Sequence, residues 1–320
     1  KQTGMTLDLL WKEYSLKHTD AYQISGFYKH FRLWKGRSHP SMRMVHKAGE
    51  RMFVDYYYLS SVNLGLVRHF EQLAQKLSRA KFVLDIGSND GILLKPLKDL
   101  GVGALGVDPS ENVSKIANDS GLTTITSFFD ALTAEKIKKD FGEPDVVVAS
   151  SIFTHLENPH QFIEDVENVM TESGDFIIEV EYIRNILKDI QFERFYLDRI
   201  FYYSLTSLKN LFENHGMYIY DVENIEPHGG SIRVVARNKS HKTVPMDSVR
   251  KFIEEEERSL TPVKLDDFRK EVEKNIGTFR KKLEEYKASD LKVAGYGSPA
   301  RVATICNYGK IGPALIEFIV

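Results

Sequence analysis

Short apolar runs alternate with longer amphipathic segments through the middle of the chain. The pattern predicts an amphipathic helix over residues 59–80, where apolar side chains recur every three or four positions, at Val62, Leu66, Phe70, Leu73 and Leu77. Four runs with the character of buried strands follow, at residues 82–86, 104–107, 145–149 and 176–180. Because segments of helical length separate these runs, we expect a parallel sheet covered by helices on both faces.

The pattern differs on either side of this region. Residues 5–50 are polar, aromatic and basic, with spacing that predicts short helices. Later come two strand-like runs, a long helix with an apolar stripe from Phe268 to Tyr286, and a further strand, glycine turn and helix in LKVAGYGSPARVATICNYG. The predicted parts are a helical segment at 1–57, an α/β domain at 58–240, a helical linker at 241–290 and a short α/β segment at 291–320.

The composition of the chain argues against several classes of protein. A net charge of -2 gives no bulk attraction for nucleic acid or an anionic membrane. The single cysteine, Cys306, excludes an internal disulfide framework and a cysteine-rich zinc site, and we expect no metal. No apolar stretch reaches the roughly 18 residues of a membrane span. We therefore expect a cytoplasmic protein without a membrane partner, and the sequence carries no signal for an oligomeric state.

The stretch KFVLDIGSNDGILL, residues 81–94, leads from a strand through a glycine turn into a helix. Gly87 and Gly91 stand where a backbone must approach a ligand closely. A dinucleotide site needs a further glycine between them for the pyrophosphate. This chain has instead Asp85 and Asp90, which would repel a pyrophosphate by about 1–4 kcal/mol per close charge pair. The cationic groups of S-adenosyl-L-methionine reverse that sign, so the turn predicts a methyl-donor site.

A second acidic residue supports this interpretation. Asp108, in GVDPS, follows the next strand, where a carboxylate can accept both ribose hydroxyls of a nucleoside cofactor. A glycine turn alone is a weak signal, but PDVVVAS followed by SIFTHLENP strengthens the prediction of a methyltransferase fold. The residues predicted to bind S-adenosyl-L-methionine are Asp85, Gly87, Ser88, Asn89, Gly91, Asp108, Pro109, Ser150 and Phe153.

Seven stretches in order carry a family resemblance: YYYLSSV, VLDIGSNDGILL, GVDPS, SIFTH, QFERFYLDRIFYYSLTSL, PHGGSIRV and VAGYGSPARVATICNY. From about Tyr56 to Val320 the chain resembles the sugar C-methyltransferases of deoxysugar biosynthesis, which methylate a nucleotide-linked keto-sugar. The resemblance implies a Rossmann-like class I methyltransferase domain and a second Rossmann-like domain, incomplete here, with the nucleotide-sugar between them. The residues expected to contact the substrate are Tyr58, His155, Tyr203, Gly229, Tyr296 and Arg301.

The chain departs from this family where the chemistry is expected. The family has Tyr-His-Glu-His, whose last histidine is the base that leaves an enolate, and this chain has Tyr196, Leu197, Asp198 and Arg199. Arginine cannot accept a proton at neutral pH. Carbon methylation would therefore need Asp198 or His228 as the base, beside Tyr196, while Arg199 holds an enolate or a phosphate. An O-methyltransferase and an inactive relative are the alternatives, because a hydroxyl needs less help than a C–H bond.

The N-terminal segment carries a different resemblance. Residues 5–57 are similar to the part of a DDE transposase, of the ATPase-helper insertion-sequence type, that leads to its first catalytic aspartate, matched here by Asp55. Such a site needs three carboxylates to hold two metal ions, so Asp55 alone cannot cut DNA. We interpret residues 1–57 as a fused remnant, with a solvated helix face favoured over nucleic-acid binding. A DNA-binding or transposition-related protein is the alternative from another class.

Overall fold

The computed structural model describes residues 64–196, 199–297 and 299–319. The chain divides into two units, residues 1–57 and 58–320, and every described residue belongs to the second. The predictions made for Tyr58, for Asp198 and for the transposase-like segment lie outside the described residues.

A seven-stranded sheet forms the centre of the described region. Its strands are β1 (Phe82–Ile86), β2 (Gly103–Asp108), β3 (Thr124–Thr126), β4 (Val146–Ser150), β5 (Asp175–Glu181), β6 (Met217–Ile225) and β7 (Ser231–Asn238). The spatial order is β3-β2-β1-β4-β5-β7-β6. The first five strands run parallel, and β7 is antiparallel to both β5 and β6. The predicted α/β class with a Rossmann-like sheet is therefore confirmed, while β3 was not predicted.

Ten α-helices surround or follow this sheet within the described ranges. They are α1 (Leu64–Lys76), α2 (Leu94–Asp99), α3 (Glu111–Asp119), α4 (Ala131–Asp140), α5 (Pro159–Val169), α6 (Ile183–Lys188), α7 (Leu205–Glu213), α8 (Asp247–Ser259), α9 (Pro262–Ala288) and α10 (Arg301–Tyr308). None of the described helices combines the length and the apolar character that crossing a membrane requires.

Both faces of the parallel sheet are buried, as the continuous apolar strands predict. On one face, Leu73 and Ala74 of α1 pack against residues of β1, β4 and β5. On the other, Phe162 and Val166 of α5 join the larger core cluster. Local sequence fixes where α5 starts, because the Asn158 side chain accepts the Gln161 N–H at 3.2 Å and a proline follows.

The antiparallel end of the sheet carries a line of alternating charges. Arg233 of β7 lies opposite Glu179 of β5 and Glu223 of β6. Its guanidinium donates to Glu179 at 2.7 Å and to Glu223 at 2.7 Å. His69 of α1 lies 2.9 Å from both Glu179 oxygens, and Lys76 donates to Glu223 at 2.6 Å. These contacts attach α1 to three strands at once.

The segment predicted as a linker is bound to the α/β domain through a buried carboxylate. Glu256 of α8 accepts the backbone N–H groups of Leu205 and Thr206, the Thr206 hydroxyl at 2.6 Å and the Tyr182 hydroxyl at 2.8 Å. The two N–H groups belong to the first turn of α7, so Glu256 satisfies donors that the helix leaves unpaired. Residues 247–259 therefore form part of the packed structure, although the domain boundaries themselves stay a prediction.

The C-terminal segment contains two short parallel strands, β8 (Ala294–Gly295) and β9 (Phe318–Ile319), and α10. It contacts the long helix α9. Arg280 of α9 donates to the carbonyls of Gly309 and Lys310, at 3.3 and 3.4 Å. The segment also contacts the stretch between α6 and α7, where the Thr304 hydroxyl donates to the Phe195 carbonyl at 3.1 Å.

Replacing Glu256 with alanine should unfold the described domain at lower urea concentration. The substitution leaves the buried Leu205 N–H, the buried Tyr182 hydroxyl and the Thr206 N–H without their acceptor, and we expect a loss of about 3 kcal/mol in the free energy of unfolding. Glu257→Ala, an exposed position on the same helix, is the matched control. Equal urea midpoints for the two variants would contradict the assigned role of Glu256.

Candidate active site

The glycine turn after β1 lies where the strand order reverses. The chain moves outward from β1 to β2 and β3, then returns to β4 on the other side of β1, which opens a crevice at the carboxyl ends of these strands. Gly87 has φ +79°, and a Cβ there would lie 2.6 Å from Cγ2 of Ile152, in the loop after β4. Glycine is therefore required both by the backbone conformation and by close packing.

The turn has no spare amide hydrogen between residues 87 and 91. Gly87 and Ser88 donate to the Val107 carbonyl, at 2.7 and 3.3 Å. The N–H of Asn89 donates to Asp108, that of Asp90 to the Asn89 side chain, and that of Gly91 to the Ser88 carbonyl, each at 2.8–2.9 Å. A pyrophosphate needs such N–H groups as donors. The turn therefore has no N–H group left for a dinucleotide pyrophosphate, which is a second reason, besides the two aspartates, to exclude a dinucleotide.

Asp108 has the orientation expected of a ribose ligand. One carboxylate oxygen accepts the Asn89 N–H at 2.9 Å and the other accepts the Ser110 N–H at 2.9 Å. These two bonds fix the plane of the carboxylate and leave each oxygen a further lone pair. Pro109, the next residue along the chain, is half-buried. Asp108 can therefore accept two hydroxyl groups from a ligand above the turn.

Asp85 differs from the fixed negative charge that we expected. Its side chain is 3% exposed, and burial together with the nearby carboxylates of Asp108 and Glu179 raises its pKa to about 8. At neutral pH the carboxyl group is mostly protonated in the absence of a cation. A cationic ligand in the crevice would favour the ionised form, so its binding is coupled to release of a proton.

These residues fit S-adenosyl-L-methionine. The turn offers acceptors to a ligand that carries a sulfonium, an ammonium and two ribose hydroxyls. Ser150 at the end of β4 adds a buried hydroxyl that has no hydrogen-bond partner among the described residues. Such an unmet polar group beside a crevice is consistent with a ligand contact.

Two residues predicted to bind the cofactor point elsewhere. The Phe153 ring is fully buried and packs on Tyr203, Phe162 and Phe176, with ring centroids 5.4 to 6.4 Å away. Its side chain belongs to the aromatic core rather than to the crevice, a correction to the prediction. The Ser88 hydroxyl would lie 2.4 Å from a Cβ on Gly106, so it packs against β2 beneath the turn.

His228 lies at the same edge of the sheet, in the turn between β6 and β7. Its Nε2 is 3.0 Å from the hydroxyl of Ser151, the residue after β4. Both residues have positive φ, +56° and +62°, which is uncommon outside glycine and clusters at functional sites. One side of the residue is open to solvent, but the protein atoms around its imidazole and the positive charges of Arg199 and Arg194 lower its pKa. The imidazole is therefore neutral at pH 7.

Arg199 is paired with a carboxylate that the sequence analysis did not single out. Glu181 at the end of β5 accepts a hydrogen bond from Arg194 Nη1 at 2.8 Å on one oxygen, and its other oxygen forms an ion pair with Arg199 Nη1 at 2.7 Å. Burial raises the pKa of Glu181, and the two guanidinium groups oppose that shift. Arg199 Nε also donates to the Tyr196 hydroxyl at 3.2 Å. The structure thus brings Tyr196, Arg199 and His228 to one region.

The predicted substrate residues are divided between the crevice and other parts of the structure. Gly229 lies against Arg194, since a Cβ there would be 2.2 Å from Arg194 Nη2. Arg301 lies 4.0 Å from Glu193. Tyr203 is buried on Phe153, with a hydroxyl that has no partner among the described residues. The other two are the half-buried His155 in the loop after β4 and the fully accessible Tyr296 after β8.

The sequence does contain a signal for Glu179 and Glu181, the two carboxylates that were not among the predicted site residues. In DFIIEVE the apolar run of β5 is broken by glutamates two positions apart, which places both on the same face of the strand. A charged residue is seldom buried unless it is paired. Two such residues at the carboxyl end of a parallel strand therefore predict cationic partners at the site, although the sequence does not identify them.

Comparison with known proteins agrees with this geometry. Residues 58–222 match the family model of a methyltransferase domain, and residues 226–320 match that of a C-methyltransferase C-terminal domain. The chain is 29% identical over 275 residues to the C-methyltransferase NovU of Streptomyces niveus, covering 83% of this chain and 66% of that relative. The chain therefore spans just under two thirds of the relative's length.

Two further similarities are more limited. A stretch of 58 residues is 40% identical to a putative transposase for insertion sequence IS1162 of Pseudomonas fluorescens, and it covers 10% of that protein. A crystal structure of a SAM-dependent methyltransferase from Archaeoglobus fulgidus superposes with a TM-score of 0.45 at 17% identity, covering 57% of this chain and 96% of that one.

The reversed strand order and the acidic glycine turn define a Rossmann-like domain that receives S-adenosyl-L-methionine. With the methyltransferase domain model matched over more than half of its length, the chain belongs to the S-adenosyl-L-methionine-dependent methyltransferase family.

Cofactor affinity should increase with pH through Asp85. Below its pKa of about 8, binding of the cationic cofactor requires loss of the Asp85 proton, so affinity should rise up to about tenfold from pH 6 to pH 7. Titration calorimetry at pH 7 in buffers of different ionisation enthalpy should show release of nearly one proton. Asp85→Asn keeps the group neutral and should remove both effects. Persistence of the proton release in this variant would contradict the assignment.

Asp108→Asn should weaken cofactor binding by about 10- to 100-fold, or about 1.4–3 kcal/mol. The amide keeps the size of the side chain, but its NH2 group faces an N–H donor and cannot accept a ribose hydroxyl. Asp99→Asn on the exposed surface of α2 is the control. Equilibrium dialysis with labelled cofactor measures the difference, and equal affinities in the two variants would exclude Asp108 from the cofactor site.

Proposed function

We propose that this protein transfers a methyl group from S-adenosyl-L-methionine to a carbon atom of a nucleotide-linked keto-sugar. The observation that carries the proposal is the neutral imidazole of His228, bonded to Ser151 beside Arg199 and Arg194 at the sheet edge that also holds the donor turn. A base next to positive charge is what abstraction of a proton from carbon requires. The similarity to a C-methyltransferase and to a C-methyltransferase C-terminal domain supports it.

On the donor side, this chain's residues bind and orient. The cofactor supplies an electrophilic methyl group on a sulfonium. Asp108 holds the ribose hydroxyls, Asp85 becomes ionised opposite the positive charges, and Ser150 adds a polar contact. Asp85 and Asp108 are both largely shielded from water, which strengthens their attraction for a cation.

On the acceptor side, His228 removes the proton next to the ketone. When Nε2–H donates to the Ser151 hydroxyl, Nδ1 is free to accept that proton. The positive field of Arg199, which Glu181 and Tyr196 hold in place, stabilises at a distance the negative charge that develops on the ketone oxygen. Arg199 thereby serves as an electrostatic group at the position where the resembled family has its base.

Transfer to oxygen is the second candidate. The replacement of the expected histidine by Arg199 favours it, because a hydroxyl acceptor needs no strong base. The two reactions differ in one observable property: only carbon methylation requires removal of the proton next to the ketone, which exchange with solvent reveals.

Exchange of this proton provides the test. In D2O without methyl donor, the protein should exchange the proton next to the ketone of a keto-sugar nucleotide, followed by NMR, and His228→Gln should slow exchange and methyl transfer together by at least about 100-fold. His160→Gln, an exposed histidine of α5, is the matched control. Asp198→Asn is tested in parallel. Loss of exchange in Asp198→Asn alone would transfer the role of base to Asp198, and methylation without exchange would indicate an oxygen acceptor.

A further inference from the structure

The pair of arginines at Glu181 has more positive charge than its partner neutralises. Glu181, Arg194 and Arg199 are all buried, with side chains 2%, 6% and 9% exposed. One carboxylate thus faces two guanidinium groups, and Arg194 Nε has no hydrogen-bond partner among the described residues. A buried donor without a partner, on a cation that is only half compensated, indicates a missing anion.

The neighbouring groups compensate this positive charge only in part. His228 is neutral at pH 7 and adds no negative charge. Burial lowers the pKa of Arg194, and the attraction of Glu181 and Glu193 opposes this shift without cancelling it. Arg301 faces Glu193 at 4.0 Å, a separation too long for a hydrogen bond.

The two guanidinium groups are held in fixed positions. Each carboxylate oxygen of Glu181 pairs with one of the two guanidinium groups. The Tyr196 hydroxyl accepts a hydrogen bond from Arg199 Nε. The turn of residues 227–230 closes on Arg194, where only a glycine at 229 leaves room for Nη2. The Gln191 side chain donates to the Gly229 carbonyl at 3.3 Å and ties this turn to the loop that carries Arg194. Such fixed planar donors suit an oxyanion with several acceptor oxygens.

We propose that Arg194 and Arg199, positioned by Glu181 and assisted by Arg301, form a binding site for a phosphoryl group of the acceptor substrate. The inference rests on the proposed function, since it assigns the site of the nucleotide diphosphate. Glu181 is a positioning residue in this arrangement. The cationic methyl donor then lies against carboxyl groups and the anionic acceptor lies against arginines, at the same edge of the sheet.

Binding of inorganic pyrophosphate to the full chain, measured by titration calorimetry without methyl donor or sugar, tests the site. Arg194→Gln and Arg199→Lys should each weaken binding at least tenfold, because the second variant keeps the charge and loses the planar fork. Arg250→Gln, on the exposed surface of α8, should leave it unchanged. Unchanged binding in Arg199→Lys, which preserves the ion pair with Glu181, would overturn the proposal even if Arg194→Gln fails to fold.

Glu181→Gln separates positioning from charge. Removing a negative charge should strengthen the binding of an anion if Glu181 were only a counter-charge, and it should weaken binding if Glu181 orients the arginines. We expect weaker binding, with cofactor affinity retained as evidence of folding. Equal or tighter binding would refute the positioning role.

The binding affinities of a nucleoside diphosphate, its nucleoside and inorganic pyrophosphate show whether the site recognises the phosphoryl groups of a nucleotide or free pyrophosphate. The diphosphate should bind more tightly than the nucleoside in the native chain, and Arg194→Gln should abolish that difference. Acetate at equal concentration should not compete, and competition by acetate would contradict a phosphoryl site. Methyl transfer is measured separately, so absent transfer with intact pyrophosphate binding would reject the proposed function and leave this site standing.

Discussion

The structure depends on the pairing of two buried carboxylates at the carboxyl end of β5. Glu179 is bound by Arg233 and His69, and although burial opposes ionisation these partners lower its pKa. Glu181 is bound by Arg194 and Arg199. An unpaired charge in such a place would destabilise the protein by several kcal/mol. Through these pairs one strand fixes α1, β7 and the segment between α6 and α7, which carries Arg194 and Arg199.

The same edge of the sheet has two halves of opposite electrostatic character. Around β1 and β2, the carboxyl groups of Asp85 and Asp108 have no cationic partner among the described residues, and their pKa values are raised. Beyond β5, two arginines share one carboxylate. A cationic donor and an anionic acceptor would each supply the missing charge. Under the proposed function, this arrangement gives the binding of both substrates and the ionisation of Asp85 a common physical cause.

Much of the fold could be predicted because its signals are local. The apolar runs of β1, β2, β4 and β5 and the glycine turn are continuous in sequence, and each is specified by neighbouring residues. The role of Glu256 could not be predicted in this way, since its partners lie about 50 residues away on another helix. The same limit applies to Phe153, whose place in the aromatic core depends on three separate elements.

The sequence by itself determined the α/β class, the identity of the turn residues and the replacement of the expected base by Arg199. Residue types and their spacing suffice for these conclusions. The tertiary structure decided the partner of Arg199, the protonation of Asp85 and the contact between His228 and Ser151. Burial and the distance between charges control these properties, and both arise only when segments that are far apart in the chain pack together.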